Sequence, residues 1–224
     1  MSERRAKASF LVAELIVVLL GVLIALGVDS WWEGLEDRDR ERAYLEAIRT
    51  DLAETVEALD SGIHSDSVSQ IQMDSLGAVL GAPGDRDTEG WGRLLAFTLS
   101  YQPLNLGTLE ALIQTGDIGL IQSERLRAEL IAAAGRLSRG QEGLAAVLSR
   151  AGVNTREFVL ELQRINLQSE SPEDVLALAS RSSVFSGSVL MHSIYLQNQL
   201  RILRDMRAAA AAVTDAIDEA LERR

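Results

Sequence analysis

Hydrophobic and polar positions alternate at helical spacing along most of the chain. Between 36 and about 80, large apolar residues return every three or four positions, which predicts one long helix. Ser61 and Gly62 lie within this run, and they mark the point where a bend or a break is most expected. The apolar positions are Leu45, Ile48, Leu52, Val56, Leu59, Ile63, Val68, Ile71, Leu76 and Val79.

A second long helix is predicted at the end of the chain, from about Val189 to Leu221. Its apolar positions follow a spacing close to a heptad, which is typical of helices that pack side by side. We expect this helix to run antiparallel to the first and to form a stalk near a membrane. The stripe consists of Leu196, Leu200, Leu203, Ala210, Val213, Ile217 and Leu221.

Shorter elements are predicted between the two long helices. Gly81 to Gly92 is a loop by composition, and Thr88 is a candidate cap for a short helix from Glu89 to about Leu99. Thr108 is a candidate N-cap of a helix that buries Leu112 and stops at Gly116. Three further starts follow: Ser123 capping a helix to about Arg150, a helix from Thr155 to Leu167, and a helix beginning at Ser171-Pro172.

Composition agrees with a mainly α fold. Hydrophobic residues make up 47% of the 224, whereas aromatic residues make up 4%, so the core must consist of Leu, Ile, Val and Ala. No segment alternates as a strand does. We therefore predict a helical bundle with a coiled-coil-like character, divided into 1–9 (tail), 10–28 (transmembrane helix), 29–80 (interface and stalk), 81–187 (helical core with loops) and 188–224 (C-terminal helix packing on the stalk).

The segment from Phe10 to Val28 is apolar over roughly 19 residues, which is the length that a transmembrane helix needs. A cleaved export signal has a shorter apolar region, and a buried core helix normally shows a polar stripe. Trp31 and Trp32 follow directly, and paired tryptophans belong at the headgroup level of a bilayer. The sequence therefore favours a single membrane anchor over a signal peptide or a core helix.

Glu14 lies about one turn inside this apolar segment. It shares a helical face with Gly21 and Ala25, and the small pair Gly21 and Ala25 allows another helix to approach closely. Two interpretations remain: Glu14 bonds to a partner helix at a docking face, or it is an acid tolerated beside the headgroups. We expect docking, because acids within a membrane segment are seldom without a function.

Charge sets the orientation and limits the partners. The net charge of the whole chain is −11. The first 28 residues carry +1, so the remainder carries −12. This acidic body argues against binding to nucleic acid or to an anionic lipid surface. Arg4, Arg5 and Lys7 crowd the N-terminal flank, which favours a cytoplasmic N-terminus and a periplasmic body in a bacterial inner membrane.

No constellation of residues indicates catalysis, a metal or a cofactor. The chain has no cysteine and two histidines, His64 and His192, which we assign to polar helix faces because neither has a metal-ligand spacing. Asp85 to Gly90 imitates the start of a calcium loop, but the twelfth position holds Ala96 where a bidentate Glu is needed. We therefore expect no catalytic, cofactor-binding or metal-binding residue.

Two blocks resemble a family of bacterial single-pass membrane proteins catalogued as a domain of unknown function. The first block is AELIVVLLGVLIALGVDSWWE with AYLEAIRTDL after it, and the second is TLEALIQTGDIGLIQSERLRAEL. The family pattern is matched by Glu14, Gly21, Leu23, Ile24, Ala25, Leu26 and Trp31 in the first, and by Thr108, Leu112, Gly116, Ile118, Ile121 and Leu126 in the second. Leu109 replaces the usual aromatic residue. The resemblance implies a single-pass topology and no particular activity.

The sequence thus predicts a non-enzymatic, membrane-anchored interaction protein. We expect an accessory or assembly subunit of a larger membrane complex, for example a respiratory or photosynthetic one. The partners would be membrane lipid and other subunits, or further copies of the chain, which would meet the transmembrane helix and the stalk. Alternatives are a periplasmic receptor with a small-ligand pocket under the loop from Tyr101 to Gly107 and, less favoured, a periplasmic hydrolase.

Overall fold

The computed structural model describes the backbone of residues 2–81 and 104–223, with side chains from Leu19 onward except at positions 25, 29, 30, 172 and 173. The predicted loop after Gly81, the helix expected from Glu89 to Leu99 and the calcium-like turn Asp85 to Gly90 lie outside the described residues. Within the described ranges every element is a helix and no strand occurs. The mainly α prediction is confirmed.

Helix α1 comprises Ser2–Gly81 and is 80 residues long, or about 120 Å at 1.5 Å per residue. The helix is continuous through Gly34 and through Ser61-Gly62, so no break occurs at Ser61-Gly62. A single glycine lowers helix stability by only about 1 kcal/mol. At Gly62 the absent side chain also allows contact, since a Cβ there would lie 3.6 Å from a methyl carbon of Leu203.

Helix α2, Gly107–Thr115, begins one residue before the predicted cap. Thr108 is therefore not an N-cap. Its backbone N–H donates instead to the Oδ2 of Asp51 on α1 at 3.2 Å, so a carboxylate from another helix satisfies the free donor. Gly116 ends the helix as expected, with the left-handed φ of 83° that glycine adopts without strain. A 3-10 turn at Asp117–Leu120 follows.

Helix α3, Glu124–Gln168, joins two helices that the sequence separated. Ser123 precedes it, and its hydroxyl oxygen accepts a hydrogen bond from the N–H of Leu126 at 3.2 Å. The predicted end near Arg150 and restart at Thr155 were wrong. Ala151 and Asn154 are both buried on the same side of the helix, so packing stabilises the turns around Gly152.

Helix α4, Pro172–Arg181, starts at the predicted Ser171-Pro172, where the Ser171 hydroxyl accepts from the N–H of Asp174. Helix α5, Ser183–Glu222, begins six residues earlier than the predicted Val189. The sequence signal for this start is Ser182, whose hydroxyl oxygen accepts from the N–H of Phe185 at 3.2 Å.

Helix α5 packs against both α1 and α3, while α2 and α4 each bridge the long helices. It runs antiparallel to α1, because residues further along α1 contact residues nearer the start of α5. The three contacts that define this direction are Arg49 with Asp218, Asp60 with Arg207, and Gln70 with Ser193.

Two hydrophobic clusters form the core. Between them lies a polar layer that contains the buried residues Asp66, Ser69 and Gln199. The proximal cluster, on the side of Glu41, contains buried residues of α1, α2, α3 and α5, including Leu45, Leu52, Leu109, Leu130, Leu137, Leu203, Ala210, Val213 and Ile217. The distal cluster, on the side of Gly81, contains Met73, Leu76, Leu80, Phe158, Ile165, Leu176, Ala179, Phe185, Val189 and Leu196. Phe158 and Phe185 stack there with ring centroids 4.8 Å apart.

Candidate functional site

The part of α1 that precedes Glu41 carries a run of exposed apolar side chains, and we call residues 19–35 the apolar arm. Ten large apolar residues are exposed there: Leu19, Leu20, Val22, Leu23, Ile24, Leu26, Val28, Trp31, Trp32 and Leu35. Trp31 and Trp32 retain 63% and 65% of their accessible surface. Monomeric soluble proteins seldom expose a contiguous apolar surface of this extent, and such surfaces are typical of interaction sites.

The predicted docking face falls partly on the arm. Gly21 is exposed, and a Cβ added there would meet nothing within 4 Å, so another helix has room to approach. The side chains of Glu14 and Ala25 lie outside the described residues. The face itself therefore stays a prediction.

Among the residues whose side chains are described, no helix combines the length and the apolarity that a membrane span needs. The predicted transmembrane helix begins at Phe10, and positions 10–18 are not among those residues.

The segments 43–52 and 108–130 meet where α1 enters the bundle. Besides the bond from Thr108 to Asp51, the hydroxyl of Tyr44 donates to the Oδ2 of Asp117 at 3.1 Å. This carboxylate raises the pKa of Tyr44, by hydrogen bonding first and by its negative charge second. The contacts of Asp51 with Thr108 and of Tyr44 with Asp117 thus fix the arm to the bundle.

Glu41 completes this junction and was missed from the sequence. It is fully buried, and its Oε1 accepts from the N–H of Gln122 at 2.9 Å, in the link between the 3-10 turn and α3. From sequence it is one of several acids in a solvent-facing run. The available signal was its position four residues before Leu45, at the start of the apolar periodicity.

A polar layer separates the two hydrophobic clusters. Asp66 and Ser69 of α1 and Gln199 of α5 are buried there, with Asp66 only 2% exposed. The Oδ2 of Asp66 has no hydrogen-bond partner among the described residues, and burial raises the pKa of Asp66 to about 6, partly offset by a hydrogen bond from Gln199. The polar layer thus contains a buried acid, Asp66, which is about half protonated near pH 6.

His192 lies fully buried beside this layer, so the assignment of both histidines to polar faces was wrong for His192 and holds for the exposed His64. It is tolerated because Asn154, Thr155 and Ser188 supply polar contacts. Burial lowers the pKa of His192, which makes the ring neutral at pH 7.

Both ring nitrogens of His192 have polar neighbours. The Nε2 lies 3.0 Å from the hydroxyl oxygen of Thr155, and the Nδ1 lies 3.0 Å from the Ser188 carbonyl oxygen and 2.5 Å from the Nδ2 of Asn154. The Nδ2 of Asn154 also donates to the Ser188 carbonyl at 2.9 Å, and the Thr155 hydroxyl donates to the Ala151 carbonyl at 2.9 Å. The network joins α3 to α5 and accounts for a buried imidazole.

Glu161 ties the end of α3 to the junction of α4 and α5. Its carboxylate accepts from the guanidinium of Arg164 and from the hydroxyl of Ser182, the residue that caps α5. These two bonds, that of Arg164 being the stronger, lower the pKa of Glu161 to about 2.

We expect Glu161→Gln to lower the free energy of unfolding by about 1–2 kcal/mol at pH 7, because charge-assisted bonds are lost at a partly solvated corner. A depressed pKa contributes stability above the ordinary value of 4.5, and this stability is lost as the pH falls through about 2. Urea denaturation followed by circular dichroism should show the two proteins converging near pH 2. Glu157→Gln, at an exposed position one turn earlier, is the control and should change little.

Within the described ranges, no three His, Asp or Glu side chains converge as metal ligands would. The receptor alternative requires a small-ligand pocket under the loop from Tyr101 to Gly107. In the described part of this loop, Leu106 is buried in the proximal cluster with Leu52 and Leu109, which argues against such a pocket. The candidate site within the described residues is therefore the apolar arm, with a buried polar layer in the bundle behind it.

Comparison with protein-family models, with curated proteins and with solved structures finds no match to this chain.

Proposed function

We propose that this chain is a membrane-anchored helical protein that binds other proteins, in the manner of an accessory or assembly subunit of a bacterial membrane complex. The observation that carries the proposal is the apolar arm. Its ten large apolar side chains are 37–66% exposed, so moving them from water into hydrocarbon would release roughly 8–17 kcal/mol, at about 1.5–3 kcal/mol for a fully exposed side chain. A bundle with a core of its own does not need such a surface for folding.

The sequence before the arm extends the same apolar character to Phe10, and the length from Phe10 to Val28 suits a span. Trp31 and Trp32 suit the headgroup region that would follow. In this proposal the basic N-terminus lies in the cytoplasm and the acidic bundle lies in the periplasm.

The continuity of α1 supports a role in positioning. No break separates the arm from the bundle, and the contacts of Tyr44, Glu41 and Asp51 fix α1 to the α2–α3 connection. A protein built in this way holds its bundle at a defined distance from the anchor, as a subunit that braces a neighbour must.

The test is gentle extraction of the full chain from native membranes, followed by size analysis and mass spectrometry of copurifying proteins. We expect the chain in the membrane fraction and in an assembly larger than one copy. Release by carbonate or salt without detergent would refute the anchor, and a monomer free of other proteins would refute the interaction role.

Glu14→Leu tests the docking face within this proposal. We expect normal membrane insertion but an association about 5–30-fold weaker, because a buried interhelical hydrogen bond contributes about 1–2 kcal/mol. Glu14→Gln, which retains a hydrogen-bonding group, should lose less, and Leu20→Ala on another face should lose little. Unchanged association in Glu14→Leu would show that the acid is merely tolerated.

A further inference from the structure

The distal half of the bundle presents a surface that is almost free of charge. Between Arg181 and Arg201, α5 contains no Asp, Glu, Lys or Arg, and the antiparallel segment of α1 from Gly62 to Gly81 contains only two acids, Asp66 and Asp74. Asp66 is buried, and Asp74 accepts hydrogen bonds from side chains of both helices. In a chain of net charge −11, such a surface is unusual.

The same surface exposes large apolar side chains. Leu190 is 61% exposed and Ile194 is 46% exposed on α5. By contrast, in 41–60, 104–150 and 200–223 only Ile131 is an exposed large hydrophobic residue. The apolar exposure of the bundle is thus concentrated at its distal half.

A groove of about 530 Å³ lies beside these side chains, between α1 and α5. Its floor is apolar, from Met73, Leu80 and Val189, and its α1 wall contains Gly77, Gly81 and the exposed carboxylate of Asp74. A Cβ added to either glycine would meet nothing within 4 Å. The groove therefore has room for side chains that the chain itself does not supply from the described residues.

We propose that this face, comprising the groove and the Leu190–Ile194 ridge, binds a second copy of the chain. A ridge beside a groove is self-complementary under a two-fold axis, because each copy inserts its ridge into the groove of the other. Electrostatics favours the same partner. Two copies of a −11 chain repel each other where acids are exposed, and this face exposes one carboxylate per copy, that of Asp74, so the repulsion there is weak.

The size of the face sets the expected strength. The uncharged segment of α5 is about 25 Å long, and two helices are about 20 Å wide, which gives roughly 500 Å² of flat area. Specific interfaces bury about 800 Å² per partner, so we expect a dimer that dissociates in the micromolar range. The inference deepens the interaction role proposed above, yet it does not require the membrane anchor.

The test is sedimentation of the full chain in mild detergent over a range of concentrations. We expect the protein mass to rise from 24.4 kDa to twice that value with concentration. Gly77→Leu should fold normally, since its site is open, but should fill the groove and weaken the dimer at least tenfold. Leu190→Glu should weaken it about 100-fold, because each substitution occurs twice in a two-fold interface and buries a charge.

Ile131→Glu is the matched control, since Ile131 is 47% exposed on α3 outside this face, and it should leave the dimer intact. A monomer at every concentration would overturn the inference, as would a dimer that Gly77→Leu and Leu190→Glu leave unchanged. The second result would place self-association elsewhere, for example on the apolar arm. Neither result bears on carbonate extraction, so the anchor is judged separately.

Discussion

At pH 7, Asp66→Asn is expected to raise the free energy of unfolding by about 3 kcal/mol. The pKa of Asp66 is about 6 in the folded bundle and 3.8 in the unfolded chain, so folding near neutral pH forces a carboxylate into a buried site. A tenfold difference in proton affinity between the two states corresponds to about 1.4 kcal/mol. A raised pKa contributes its full stability below pH 3.8 and loses it as the pH rises through 6, so the gain from Asn should shrink to below about 1 kcal/mol at pH 4.

Urea denaturation of the full chain at pH 4, 5 and 7 measures this difference. Asp215→Asn, at an exposed position of α5, makes the same change in net charge and should alter stability by less than about 0.5 kcal/mol at each pH. The lowered pKa of His192 costs stability in acid in both proteins, so the contribution of His192 cancels when the two are compared. An equal gain at pH 4 and pH 7 would show that Asp66 does not titrate as described.

Gly140→Leu is expected to lower the free energy of unfolding by about 3 kcal/mol, because α3 and α5 approach closely at Gly140. A Cβ at this position would overlap the Sδ and the Cγ of Met206, a 2% exposed side chain that would have to leave its present packing to make room. Overpacking of this kind costs about 1–3 kcal/mol or more. Thermal and urea denaturation both provide the measurement.

Two further variants test the cause. Gly152→Leu, on the same helix with nothing within 4 Å of its Cβ, should be neutral or more stable by up to about 1 kcal/mol. Adding Met206→Ala to Gly140→Leu should recover part of the loss, since the removed side chain is the one in the way. A double variant whose loss equals the sum of the two single losses would mean that the contact is not responsible.

Periodicity and capping residues predicted much of this fold. The stripe from Leu196 to Ile217 is buried on α5, and Ser123 and Ser171 each cap the helix that follows them. These signals are local, because the spacing of side chains on one helix and a hydroxyl near the first turn suffice to produce them. They require no knowledge of what packs opposite.

The elements that were missed depend on contacts across the bundle. Continuity through Gly152 follows from the packing of Ala151 and Asn154 on either side of it, which propensity at one residue does not record. The burial of His192 depends on Asn154, 38 positions earlier, and that of Glu41 on Gln122, 81 positions later. A single polar residue in a sequence gives no indication of such a distant partner, so the polar layer and the junction were both unforeseen.

The continuity of α1 has a mechanical consequence. A helix advances about 100° and 1.5 Å per residue, so the arm and the bundle share one angular phase along a common axis. The direction in which Gly21 faces is thereby fixed relative to Leu45 in the core. A rotation of the arm about the helix axis is transmitted to the bundle. Adding one residue between Trp32 and Glu41 would turn the arm by about a quarter of a revolution, whereas adding seven would nearly restore its phase while lengthening the axis by about 10 Å.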